Sequence, residues 1–231
     1  MRAQQQHWFY FACKRLLDTL IAGSALIMLA PLMLVIAILV KLDSPGPAVF
    51  KQKRVSTRRR RDGQQDFWEI RTFTLYKFRT MCKDADSDPH RAFVQAFIHN
   101  DHEGMAVLQG EDTQTHKLVH DPRVTRLGGF LRRSSLDELP QLWNVFKGDM
   151  SLVGPRPQVL YEVDEYEPWH RQRLEAKPGL TGLWQVTARS SADFNAAVRL
   201  DIRYVEHQSF WLDLQILLKT PLVVLRGKGA L

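Results

Sequence analysis

The sequence predicts a mixed α/β, α-rich small globular domain behind an N-terminal membrane helix. Three observations point there. Residues 19–40 form a run of 22 without a single charge. Two β-patterned segments, 48–55 and 73–81, follow it. Helical apolar periodicity then returns in 88–99 and in the C-terminal tail. A chain of 231 residues buries a real core, and one domain with an appendage is the natural division. Here that division is a membrane-anchoring segment, 1–47, and a water-facing domain, 48–231.

The apolar run comes first. At 1.5 Å per residue it reaches roughly 33 Å as a straight helix, enough to cross a hydrocarbon layer of about 30 Å. It ends at Val40-Lys41 without a small-residue cleavage site, unlike a cleavable signal peptide. Pro31 leaves 12 apolar-run residues before it and 9 after, so each half is about half a bilayer long. Both flanks are basic: Lys14 and Arg15 before, Lys41, Lys51, Lys53 and Arg54 after. Positive charge at both ends draws both towards the cytoplasm, which a bent, re-entrant helix permits. A proline-kinked spanning helix is the competing form. Asp18, at the mouth of the run, is expected to pair with a nearby arginine.

The two β-patterned segments are "AVFKQKRV" and "FTLYKFRTM", joined by a charged excursion. Within that excursion Arg58, Arg59, Arg60 and Arg61 are placed to meet anionic headgroups. In the second segment the period of two sets Leu75, Lys77 and Arg79 on one face. Two neighbouring cations there make either a phosphate clamp or an ordinary solvated face.

Residues 83–120 are polar. They hold five histidines, His90, His99, His102, His116 and His120, with no metal-ligand spacing among them. "DPHRAFVQAFIH" has helical periodicity, with Phe93, Phe97 and Ile98 on one side; the rest of the stretch is expected to be a mobile loop. Cys13 and Cys82 give neither a zinc pattern nor a disulfide framework, which fits a reducing compartment.

"RRSSLDELPQLWNVF" (132–146) poses the central question. Ser135 and Glu138 fit an S-x-x-E capping box, and acids are favoured in a first helical turn. Pro140 disturbs that reading, because it would be the fifth helical residue and would crowd the carbonyl of Leu136. A start nearer the proline puts Asp137 and Glu138 at the junction itself, where anions and metal-bound phosphates also gather. The cap accounts for one acid better than for two.

Downstream, "GPRP" holds Arg156 between Pro155 and Pro157. That stiff, extended mount suits bidentate binding of phosphate oxygens, or else it is a proline-rich turn. Gly179 and Gly182 flank Thr181 in a loop permissive for close backbone approach, without the G-x-x-x-x-G-K pattern of an ATP site. In the tail Phe210, Trp211, Leu214, Leu217 and Leu218 recur at helical spacing. They describe a core helix or one lying at a membrane interface.

The ordered set of "KRLLD", the proline-broken apolar run, "YKFRTM", "DPRVTRLGGFLRRSSLDELPQLWNVFKGDMSLVGPRP" and "KPGLTGLWQV" resembles the bacterial sugar transferases, the monotopic phosphoglycosyl transferases. The likeness covers residues 14–231. Ala30-Pro31 stands where many members have Ser-Pro, "VTAR" stands where a glycine often precedes the arginine, and residues 83–120 are longer than in the smallest members. The resemblance implies that 48–231 is the catalytic domain, on the cytoplasmic face of the bacterial inner membrane. It implies that Asp137 is the nucleophile and that Asp137 and Glu138 hold Mg2+. It implies a UDP-sugar donor and a polyprenyl (undecaprenyl) phosphate acceptor, joined through a covalent aspartyl-phosphosugar in exopolysaccharide or glycoconjugate assembly. Arg156, then Lys77 and Arg79, are the cations expected to bind the substrate phosphates. Near its reference pKa of about 3.9, Asp137 needs no general base.

The expected partners are therefore the UDP-sugar, polyprenyl phosphate and membrane lipid, with a second copy of the chain left open. The formal charge of +7 asks for an anionic partner. A membrane-tethered nucleic-acid binder would use that charge, but it leaves Asp137-Glu138 unexplained and no recognition helix or zinc motif is present. A catalytically inactive scaffold would have no use for the intact acid pair.

Overall fold

The apolar run lies inside one α-helix, α1 (Trp8–Asp43), in the computed structural model, which describes residues 8–62, 65–82, 88–99, 101–109, 123–188 and 193–226. The expected proline break is not a break: the chain stays α-helical through Pro31. Proline deprives the Ile27 carbonyl of its partner, but Ile27 is 80 % exposed, so the lost bond and the ring's bulk fall on an open face. Only 11 % of the most apolar stretch of Phe9–Asp43 is buried, whereas the core helix of a water-soluble domain would be mostly covered.

Beyond α1 a single antiparallel hairpin pairs β1 (Val49–Asp62) with β2 (Gln65–Phe78) in continuous register, from Val49↔Phe78 to Asp62↔Gln65. The charged excursion is thus the outer half of the two strands. Arg60 Nε donates to Glu69 Oε2 across the ribbon at 3.0 Å, the kind of cross-strand pair that keeps a water-exposed ribbon regular. At the base, Phe73 and Leu75 are buried.

Helices α2 (Asp88–Ile98) and α3 (His102–Gln109) follow, then α4 (Arg126–Arg133), a 3-10 turn (Leu136–Glu138) and α5 (Gln141–Lys147). Phe93 and Ile98 of α2 are buried and Phe97 packs beside them, as the periodicity predicts. His116 and His120 lie outside the described residues, as do residues 110–122 and Arg189.

The second half of the chain is β3 (Ser151–Val153), α6 (Leu160–Asp164), a 3-10 turn (His170–Leu174), β4 (Gly179–Thr181), α7 (Leu183–Thr187), α8 (Phe194–Glu206) and α9 (Phe210–Arg226). β3 and β4 pair in parallel, Ser151↔Gly179 and Val153↔Thr181. The main core brings together Ala22 of α1, Phe73 and Leu75 of β2, Val145 of α5, Tyr204 of α8 and Ile216 of α9. A second cluster joins Val55, Ile98, Val163 and Phe194, and a third joins Ile36 and Val40 of α1 to Phe78 and Leu131.

Polar ties hold both ends of α1 to the same body. Lys14 Nζ lies 2.6 Å from Asp213 of α9, whose carboxylate also accepts from the Tyr10 and Tyr204 hydroxyls. Arg15 donates to the carbonyls of Val145 and Phe146, each at 2.7 Å, and so caps the end of α5. Asp18, expected to meet an arginine, instead accepts the Leu152 N–H at 3.0 Å, because the arginine next to it is drawn to α5.

On α9 the buried side is Asp213 and Ile216, while Trp211, Leu214, Leu218 and Leu222 stand exposed. The tail's apolar stripe is therefore divided: Leu217 packs against the main core, while Trp211, Leu214 and Leu218 face outward.

Candidate active site

The junction between α4 and α5 is built on one backbone reversal. Ser135 has φ 57, the only residue other than glycine described with positive φ, and its side chain makes no capping bond. An N-cap residue needs an extended backbone, so the expected capping box cannot form in this conformation. The left-handed residue instead turns the chain out of α4 and into the 3-10 turn. Pro140, at φ −62, then precedes α5. Both acids consequently sit on a tight turn just before the helix, held down by Leu136 and Leu139 against the third core cluster.

Asp137 is 7 % exposed, and Glu138 is half-buried beside it. Lys77, reaching in from β2, places Nζ 3.0 Å from Glu138 Oε1 and 3.6 Å from Asp137 Oδ2. Arg156 Nη1 lies 4.0 Å from the same Glu138 oxygen. Four of the five residues singled out in the sequence thus converge.

Arg79 does not join them. It lies one residue past the end of β2, and its guanidinium turns towards the C-terminal end of α1, donating from Nη2 to the Val40 and Ser44 carbonyls and to Ser44 Oγ. Those carbonyls carry the negative end of the helix, so a cation there is favourable.

Close backbone contact mounts Arg156. Gly154 N–H donates to the Thr181 carbonyl at 2.9 Å and Gly179 N–H to the Pro155 carbonyl at 2.8 Å. A Cβ on Gly154 would stand 2.2 Å from the Lys177 carbonyl oxygen, and one on Gly179 would stand 2.1 Å from Gly154 N. The close approach expected at Gly179 and Gly182 is made against Gly154, since a Cβ on Gly182 would stand 2.3 Å from the Gly154 carbonyl oxygen, and it fixes the backbone that carries Arg156.

The cleft also contains residues that the sequence does not single out. Arg54, Gln141 and Gln185 line it together with Lys77, Glu138 and Arg156. Arg54 reads in the sequence as a basic flank of the apolar run. The hairpin register reveals its place: Gln52 pairs with Leu75 and Phe50 with Lys77, so Gln52 and Arg54 share the face of Lys77. The signal existed in "KQKR", but only a fixed register makes it legible.

Burial pushes the Asp137 carboxyl above its usual range; Lys77 pulls it down, and Glu138 pushes it up again. Asp137 is thus not the ordinary carboxylate expected from its type. Burial and the neighbouring Arg156 together lower the Arg54 guanidinium to about 10. Glu162 is held above the normal range by burial, against the pull of Arg173, Arg54 and Arg156.

The arrangement can do one kind of chemistry well. A carboxylate buried beside a lysine, next to a cleft that Glu138 and two arginines line, suits attack on an anionic electrophile whose charge the cations offset.

A family model described as bacterial sugar transferase matches residues 9–227. The undecaprenyl-phosphate galactose phosphotransferase of Salmonella typhimurium is 41 % identical over 217 residues, covering 94 % of this chain and 41 % of the relative. The UDP-galactose-lipid carrier transferase of Erwinia amylovora is 38 % identical, with 94 % and 41 % covered. The exopolysaccharide production protein ExoY of Sinorhizobium fredii is 39 % identical, and there the shares are 94 % and 87 %. The chain therefore spans about two fifths of the length of the first two relatives and most of the third.

Proposed function

Because the chain belongs to the bacterial sugar transferase family, we propose that it transfers a sugar 1-phosphate from a UDP-sugar to undecaprenyl phosphate in exopolysaccharide or glycoconjugate assembly. The relatives' names supply the donor and acceptor classes. The observation that carries the assignment to residues is the position of Asp137, buried next to the cleft-lining Glu138 with the Lys77 ammonium 3.6 Å from its Oδ2.

In this reading an Asp137 oxygen attacks the phosphorus that bears the sugar. The bond from that phosphorus to the bridging oxygen breaks, UMP leaves, and the sugar 1-phosphate remains as an acyl phosphate on Asp137. A phosphate oxygen of the polyprenyl phosphate then attacks the same phosphorus and frees the carboxylate. One diphosphate linkage replaces another, so the task is to bring anions together. Lys77 keeps Asp137 ionised against burial and meets the transferred phosphate; Arg156 meets the phosphates from the other side.

Asp137 and Glu138 would also hold Mg2+. Among the described residues no set of three acid, histidine or cysteine side chains converges. Two adjacent carboxylates in an open cleft fit an ion that takes one or two carboxylates and completes its shell with water and substrate phosphate. When bound, the ion would neutralise charge on the phosphates.

Both ends of α1 are tied to one folded body, Lys14 to Asp213 and the Val40 carbonyl to Arg79. A crossing helix would separate these ties by a bilayer. Their shared anchorage supports a helix that dips and returns on the cytoplasmic face, with a bend accommodated at Pro31. The exposed stripe of Trp211, Leu214, Leu218 and Leu222 supports α9 lying on the same surface.

The test is a UDP-sugar panel incubated with the full chain without lipid. The expected result is UMP release up to one equivalent and a sugar-phosphate mass adduct on Asp137, both lost in Asp137→Asn. Full labelling of that variant would remove Asp137 from the role.

A further inference from the structure

We propose that Arg54 and Arg156 form the seat of the departing nucleotide's phosphate, so that the donor lies in the cleft in one direction only, sugar phosphate at Asp137 and nucleotide at Arg54. The proposal rests on the transfer reading for the identity of the donor, and on the cleft's own geometry for its direction.

Arg54 is held in place. Its Nε and Nη2 both donate to Gln52 Oε1, at 3.1 and 2.7 Å, and its Nη1 donates to the Pro157 carbonyl at 3.0 Å. Of the five N–H donors of a guanidinium, those bonds engage three and leave two for a ligand. The Pro157 bond also ties Arg54 to the loop that carries Arg156. A planar fork fixed in this way loses little freedom when it grips phosphate oxygens.

The charges are unevenly spread along the cleft. At one end Lys77 lies within 4.0 Å of two carboxylates, Asp137 and Glu138, and Arg156 reaches only the second of them, at 4.0 Å. At the other end stand Arg54 and Arg156. No carboxylate among the described residues lies within 4.0 Å of Arg54. Glu162 is the carboxylate that acts most strongly on Arg54, and it is shared with Arg173, which already pairs with Asp201. Two guanidiniums side by side in a half-buried wall repel each other until an anion arrives. The lowering of Arg54 by burial and by Arg156 records that repulsion. A dianionic phosphate relieves it, while the acid-rich end would repel the same group.

The direction then follows. The phosphorus under attack must touch Asp137, beside Lys77. Arg156, 4.0 Å from Glu138, stands between that point and Arg54. The second phosphate of the donor, which departs with the nucleoside, falls at the arginine end. Gln185 lies in the same wall, its Nε2 donating to the Leu180 carbonyl at 3.2 Å and its buried Oε1 without a partner among the described residues.

Equilibrium binding of radiolabelled UMP to the full chain in lipid nanodiscs, without turnover, tests this. Arg54→Gln should weaken UMP roughly ten- to a hundredfold, the scale of lost hydrogen bonds to a charged group. Competition by a sugar 1-phosphate should change far less. Gln52→Leu keeps the charge but frees the fork and should fall between; Arg54→Lys should recover part of the loss. Thermal unfolding of each variant separates misfolding from lost binding. In turnover, Arg54→Gln should raise KM for the UDP-sugar more than it lowers kcat. Unchanged UMP affinity in a folded Arg54→Gln variant overturns the proposal, as does equal loss of UMP and sugar 1-phosphate. Arg54-dependent UMP binding in a chain that never transfers sugar phosphate would refute the transfer reading and leave the nucleotide seat standing.

Discussion

The Lys77 ammonium and the Asp137 carboxylate stand 3.6 Å apart, near enough to attract and too far for a hydrogen bond. The shorter contact of Lys77, 3.0 Å, goes to Glu138. The lysine therefore stabilises negative charge on Asp137 without engaging the lone pair that a nucleophile needs. Glu138 serves as the tether that keeps the ammonium at that distance.

That balance has a cost in stability. Burial raises the Asp137 carboxyl above its reference value of 3.8, so over the interval between the two values the folded chain binds more protons than the unfolded one. Stability then falls as pH rises through that interval, and the full penalty remains above it. Asp137→Asn removes the penalty. The variant should be inactive yet more stable than the parent at neutral pH, and the difference should vanish below the reference value. Thermal midpoints of both proteins at neutral pH and near about pH 3 check this; a variant less stable at neutral pH would contradict it.

Lys77→Met should act in the opposite sense on the same group. Without the ammonium, burial and Glu138 act unopposed, and the Asp137 carboxyl rises further. The rate at neutral pH should drop roughly a hundredfold or more, as for loss of a preorganised charge partner. The acid limb of the kcat/KM profile should also move to higher pH. A purely structural lysine would lower the unfolding temperature and leave that limb in place.

Asn144 supports Lys77 from below. It is fully buried in α5; its Nδ2 donates to the Thr74 carbonyl at 2.7 Å and its Oδ1 accepts the Tyr76 N–H at 3.1 Å. One side chain thus pairs two main-chain groups of β2 beside Lys77. Asn144→Leu would bury both without partners, at about 2–5 kcal/mol. Thermal unfolding should show that loss. Activity should decline further than the folded fraction does, because β2 would no longer be held in register against α5.

How much of this was legible in the chain depends on which physical signal each residue sends. The acid pair stood out because a cap uses one carboxylate and the sequence has two before a proline. Phe73 and Leu75 announced β2 because one face of its base is buried and the other is not. The arginine-rich outer half gives no such sign, since a ribbon with both faces wet needs no alternation; the sequence marks it as a charged hairpin excursion, and the register shows that its strands continue to Asp62 and Gln65. Arg79 shares the period of Lys77 but lies past the strand's end, where the charge on the α1 carbonyls decides its direction. Ser135 had the residue type of a cap, and only its backbone conformation shows that it makes a turn instead. Arg54 required the pairing of two strands, which no local pattern contains.

The topology of α1 has a direct test. Asp213 and Arg79 belong to one folded body, yet they bind opposite ends of the apolar helix through Lys14 and through the Val40 carbonyl. If the helix crossed the bilayer, one of these contacts would have to form on the far side, with a charged partner carried through hydrocarbon. A dipping helix keeps both on the water-facing side. With Cys13 and Cys82 changed to serine, single cysteines at Gln5 and at Lys51 should both react with a membrane-impermeant maleimide from the cytoplasmic side of sealed inverted vesicles. Neither should react in vesicles of the opposite orientation. Reaction of the two positions from opposite sides would mean that the helix spans. Lys14→Ala should weaken the N-terminal tie by about 2–4 kcal/mol, since it leaves the Asp213 carboxylate, 7 % exposed, without its cation. In that variant the Gln5 cysteine should label from both sides in part of the population, while the Lys51 cysteine stays one-sided.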